Sequence, residues 1–151
     1  MPTVLYVGAK YDYGDKSRGL SFEHRNFHHS LRSWCERQGW DFVPYDFYTR
    51  GQEIGQDAMT QELLDLARTL RPAFLFSVLV DHHLDPHHEV FSQIGQSGET
   101  VTLHWFCDDH WRWEKYSQFV APHFHFVTTT APSALPKYAQ LGLADRVIQT
   151  Q

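Results

Sequence analysis

At 151 residues, with 42% hydrophobic and 21% charged side chains, the chain has the size and balance of one globular domain. A net charge of −5 speaks against a nucleic-acid backbone as the main partner, because that binding relies on Lys and Arg replacing counterions. Two cysteines, Cys35 and Cys107, make no disulfide framework and fit a reducing, cytoplasmic setting; Met1–Leu5 opens no signal peptide, and no apolar run approaches a membrane span.

Short apolar runs alternate with amphipathic stretches along the whole chain. Val4–Val7, stopped by Gly8, reads as a buried strand, and a polar loop continues to Leu20. Ser21 is a candidate N-cap for a helix with Phe27, Leu31, Trp34 and Cys35 on one face, closed by Gly39. Asp41–Tyr45 reads as a second strand, weakened by Pro44, which has no amide donor. A helix over about 56–70 carries Met59, Leu63, Ala67 and Leu70 on one stripe and cannot pass Pro72.

Ala73–Val80 is almost unbroken in apolar character, as in a strand covered on both faces. Asp85-Pro86 suits the cap of a third helix with Val90, Phe91 and Ile94 inward. Val101–Phe106 is the fourth strand, Asp108 or Asp109 caps a helix that Pro122 ends, and Phe124–Thr128 is the fifth strand. A short helix follows near Pro136–Leu141, and Val147-Ile148 starts a sixth strand. This alternation predicts an α/β fold: a Rossmann-like open parallel sheet of five to six strands with helices on both faces, residues 1–151 forming a single domain.

Ligands of open parallel sheets bind beyond the carboxyl ends of the strands, where strand order reverses. On a 3-2-1-4-5 order, the crevice lies between the loops after strands one and four. The first offers Gly8, Tyr11, Tyr13, Arg18, Glu23 and His24 for ligand binding; its glycines lack the G-x-G-x-x-G spacing of a dinucleotide site. The second offers Trp105, Trp111 and Arg112 as walls and a clamp. Its Asp108, Asp109 and His110 are candidates for proton transfer, since paired carboxylates beside an imidazole can hold one pKa near neutrality. Asp109 reads equally as a helix cap.

Eleven histidines would carry the formal charge from −5 to +6 if all were protonated. The segment from His82 to His88 invites a metal reading, but His83 precedes the cap at Asp85 and no H-E-x-x-H is present. No native metal or cofactor is expected there, only adventitious nickel or zinc binding. His123 and His125 read as alternating strand residues. Asp81, after the third strand, stands where a receiver-like module would carry a phosphoacceptor. The acidic pair after strand one and the lysine after strand five that such a module needs are missing.

The strings V-L-Y-V-G-A-K-Y-D-Y-G from Val4, R-G-L-S-F-E-H from Arg18 and above all L-H-W-F-C-D-D-H-W-R from Leu103 resemble the amino-terminal region of CgeB-like, spore-maturation glycosyltransferases. Thr128-Thr129-Thr130 and Ala134–Tyr138 add to it. The resemblance implies the acceptor-side half of a two-domain GT-B enzyme that transfers a sugar without a bound metal. Its partners would be a sugar acceptor and a nucleotide-sugar held by a missing carboxyl-terminal domain or partner chain. Asp109, Asp108 or His110 would then deprotonate the acceptor. The alternative is a non-catalytic, receiver-like binding or signalling module.

Overall fold

The computed structural model describes residues 1–150. Six parallel strands form one sheet in the order β2-β1-β3-β4-β5-β6. They are β1 (Thr3–Gly8), β2 (Asp41–Tyr45), β3 (Phe74–Val78), β4 (Val101–Phe106), β5 (Phe126–Thr129) and β6 (Val147–Gln149). Parallel strands with helices on both faces are as expected, but the order 3-2-1-4-5 is corrected, because β3 lies inside the sheet between β1 and β4. Leu75 and Phe76 point to opposite faces of β3 and are both buried, which an interior position allows. Pro44 pairs in register with Tyr6 from the edge strand β2, where a missing donor costs least.

A wide π turn, His24–His28, leads into α1 (His29–Gln38). Next come α2 (Phe47–Ile54) and α3 (Gln56–Leu70), then α4 (Glu89–Gly95) and α5 (Asp109–Arg112). A second wide turn, Trp113–Ser117, joins α5 to α6 (Gln118–Val120), and α7 spans Leu135–Gln140. Helix α2 escaped the sequence reading; Asp46 caps it by accepting from the Thr49 amide at 3.2 Å.

Strand alternation sorts the core. Leu5, Val7, Leu75, Phe106 and Val127 pack with Met59, Leu63, Phe91 and Tyr138 on one face. Tyr6, Phe76 and Val78 face the other way, against Phe27 and Leu31. Trp34, expected inward, is exposed and meets Trp40 edge-on, because the wide turn at Phe27 rotates the face that follows. β5 starts two residues late, so His123 and His125 precede it. His123 Nδ1 lies 2.8 Å from Ser92 Oγ, and His125 Nδ1 accepts from the Thr102 amide at 3.1 Å. Among the described residues no helix is long and apolar enough to cross a membrane.

Candidate functional site

Because β3 separates β1 from β4, the loops after all three strands leave one end of the sheet side by side. Together they enclose a crevice of about 590 Å³. Strands one and four are not neighbours, yet their loops do share a pocket.

The β1 loop is built from its own hydrogen bonds. Tyr11 and Leu20 form an antiparallel bridge, and the Asp12 amide donates to the Gly19 carbonyl at 3.0 Å. Arg18 Nε donates to Asp12 Oδ2 at 2.8 Å, with its guanidinium 4.6 Å above the Tyr13 ring. Ser21 Oγ donates to the Ala9 carbonyl at 2.6 Å and accepts from the His24 amide at 3.0 Å, which ties the loop to the helix it precedes. Tyr11, Asp12, Tyr13 and Glu23 line this side of the crevice.

The β3 loop is fixed from beneath. Asp85 was expected to cap a helix; instead it is fully buried and accepts from the amides of Val80 (2.7 Å) and Asp81 (3.0 Å) and the Tyr116 hydroxyl (2.6 Å). His88 Nε2 lies 3.1 Å from the same carboxylate. Burial, with the Asp85 charge adding, pushes the Tyr116 phenol far above its ordinary value. Asp81 faces the crevice, one oxygen held by the His83 amide at 2.9 Å.

The β4 loop supplies Trp105, Asp108, Trp111 and Arg112. The Arg112 guanidinium donates to the Val80 carbonyl and lies 3.9 Å from the centre of the Tyr116 ring. Cys107 also lines the crevice, its thiol pushed up to about 12 by burial, with Asp108 adding. At the foot of the crevice, His104 Nδ1 lies 2.9 Å from Ser77 Oγ, and burial holds the imidazole well below its usual pKa.

No protein-family model matches the chain, and no curated protein matches it. Among solved structures it is similar to the signal receiver domain of a modulated diguanylate cyclase from Desulfovibrio desulfuricans G20, described as an example of alternate folding. The TM-score is 0.49 at 15% identity, covering 97% of this chain and 96% of that one. A likeness of this degree assigns no activity. The expected CgeB-like membership is nonetheless corrected: no family model or curated protein supports it, and the solved structure named above is a signal receiver domain. With it go the sugar-transfer function, the enzyme class and the acceptor and nucleotide-sugar partners.

Of the residues singled out by sequence, Tyr11, Tyr13, Glu23, Trp105, Asp108, Trp111 and Arg112 meet around the crevice. Five sit elsewhere. Gly8 ends β1 beneath the loop, where a Cβ would run into the Tyr6 hydroxyl, so its smallness serves packing. Arg18 is exposed and spent on Asp12, and His110 is exposed. His24 stacks on His28. Asp109 is buried and accepts from the Tyr138 hydroxyl at 2.7 Å, its other oxygen without a partner. Sequence reasoning missed Phe22 and Asp12, though both lie in the loop it singled out, and Tyr48, which belongs to the unforeseen α2. In the His82–His88 segment, His82 Nε2 bonds the Lys115 carbonyl at 2.8 Å and His87 Nε2 lies 2.6 Å from Asp57.

Proposed function

We propose that this chain is a non-catalytic binding module of the doubly wound, receiver-like class, acting as one domain. Its crevice takes a cationic group, a lysine or arginine side chain, offered by a partner protein. The supporting observation is the lining: Glu23, Asp81 and Asp108 face one lining cation, Arg112, which Val80 and Tyr116 already engage, while Asp12 is paired with Arg18. Tyr13, Phe22 and Trp111 stand exposed at the mouth, and aromatic faces attract alkylammonium and guanidinium groups by about 0.5–2 kcal/mol each. Groups that chemistry would recruit are committed elsewhere: Asp109 to Tyr138, His104 to Ser77, and Cys107 to its protonated form. The two free thiols fit a reducing, cytoplasmic setting.

Tryptophan fluorescence during titration with oligolysine and oligoarginine peptides tests this. We expect a saturable change that weakens with salt, disappears on lysine acetylation and is lost in Trp111→Ala. Equal responses to acetylated or oligoglutamate peptides would sink the proposal.

One observation favours a second reading, a phosphorylated switch: β3 is central, and Asp81 follows it into the crevice. Against it, strand one runs into Gly8-Ala9-Lys10 in place of an acidic pair, and Thr130 rather than a lysine follows β5. Acetyl phosphate with magnesium, followed by mass spectrometry at Asp81, separates the two readings. A stoichiometric label there would replace the non-phosphorylated module.

A further inference from the structure

We propose that His24, His28 and His29 form a binding site for a divalent transition-metal ion of the zinc or copper type, separate from the crevice. One ring nitrogen from each residue lies within 4.8 Å of the other two. The His24 and His28 rings stack at 3.9 Å between centroids, and His29 meets both edge-on at 5.3 and 5.4 Å.

The backbone explains the convergence. In an ordinary α-helix, residues five apart are rotated by roughly 140° from one another and cannot share a ligand. Here the His29 amide bonds to the His24 carbonyl, the i to i+5 pattern of a π turn, which winds more slowly and returns i+5 to the face of i. Residues i, i+4 and i+5 then all look the same way.

Hydrogen bonding separates these rings from six of the other histidines. His82, His87, His88, His104, His123 and His125 each spend a ring nitrogen on a protein partner. Among the described residues, no protein hydrogen bond engages the rings of His24, His28 or His29. For His28 that is costly, since the ring is 8% exposed and its Nδ1 is buried without a partner. Metal ligation is the way three unspent imidazoles in contact satisfy one another.

A tetrahedral zinc with bonds of about 2.1 Å holds its nitrogens about 3.4 Å apart, so the ring nitrogens, within 4.8 Å of one another, must draw closer and the His24–His28 stack must open as the ion binds. The exposed side of His29 leaves the remaining position open to water or to a donor from outside. Lys10 and Arg32 carry positive charge close to His28, which repels any divalent cation alike, so the choice of ion falls to the imidazole nitrogens. An ion held by directed imidazole bonds is the fitting occupant.

The test is zinc calorimetry on the untagged full chain after chelator treatment, with cobalt absorption reporting tetrahedral nitrogen ligation. One ion per chain is expected. His29→Ala, an exposed position, should keep the thermal transition of the apo protein. It should weaken binding by more than the roughly 10–100-fold lost with an outer-shell partner. His83→Ala/His87→Ala should bind as the parent does. Absence of zinc binding by the parent chain, unchanged affinity in His29→Ala, or loss of binding in His83→Ala/His87→Ala would each overturn the site.

Discussion

The Tyr116 hydroxyl donates to Asp85 Oδ2 at 2.6 Å, joining the loop after β3 to the wide turn after α5 at a point closed to solvent. Two backbone amides share the same carboxylate. Removing it strands buried donors on two segments at once. Asp85→Ala is therefore expected to cost about 3 kcal/mol or more. Urea denaturation should show a lower midpoint at an unchanged slope, and Tyr116→Phe should cost less, since the two amides keep their acceptor.

Asp109 and Tyr138 make a second buried pair, away from the crevice. Tyr138→Phe leaves a buried carboxylate without its donor and should destabilise the fold by about 1–3 kcal/mol. Asp109→Asn retains an acceptor oxygen and should move the denaturation midpoint less. Neither change should alter peptide titrations of the crevice; a binding defect with an intact fold would return Asp109 to the site.

Acid should destabilise the molecule through His104. Burial lowers its folded pKa, so in the unfolded chain the imidazole takes up a proton that the folded one refuses. That contribution is complete above the ordinary histidine value of about 6.5 and is lost as pH falls below it. His123 is lowered in the same direction, first by burial. Denaturation midpoints measured from about pH 7 to about pH 5 should fall more steeply for the parent than for His104→Gln. Parallel slopes would show that another group governs the acid limb.

Gly8 packs against the ring that stands two residues before it. A methyl group there meets the Tyr6 hydroxyl and ring, so Gly8→Ala should cost about 1–3 kcal/mol of overpacking. Tyr6→Phe, which removes a buried hydroxyl lacking a partner, should recover part of that loss in the double variant. Strict additivity of the two changes would refute the contact.

The strands were legible because parallel strands are apolar on both faces, and Leu75 and Phe76 bear this out. Their order was not, since periodicity carries no neighbour information. Pro44 held the clue: a residue without an amide belongs at an edge, and β2 at an edge requires another strand to take the second side of β1. Much of the crevice was foreseeable because its aromatic and acidic residues cluster in two loops. The floor was hidden, since Asp85 read as a helix cap from its Pro86 neighbour. The histidine triad was hidden too, because a period of 3.6 sets His29 apart from His24 and only the wide turn reunites them.

A platform held this firmly has a kinetic consequence. If the proposed cationic guest docks there, the three hydrogen bonds to Asp85 hold that segment ready-formed, so little freedom is surrendered on association. Guests should then differ less in how fast they are captured than in how long they stay.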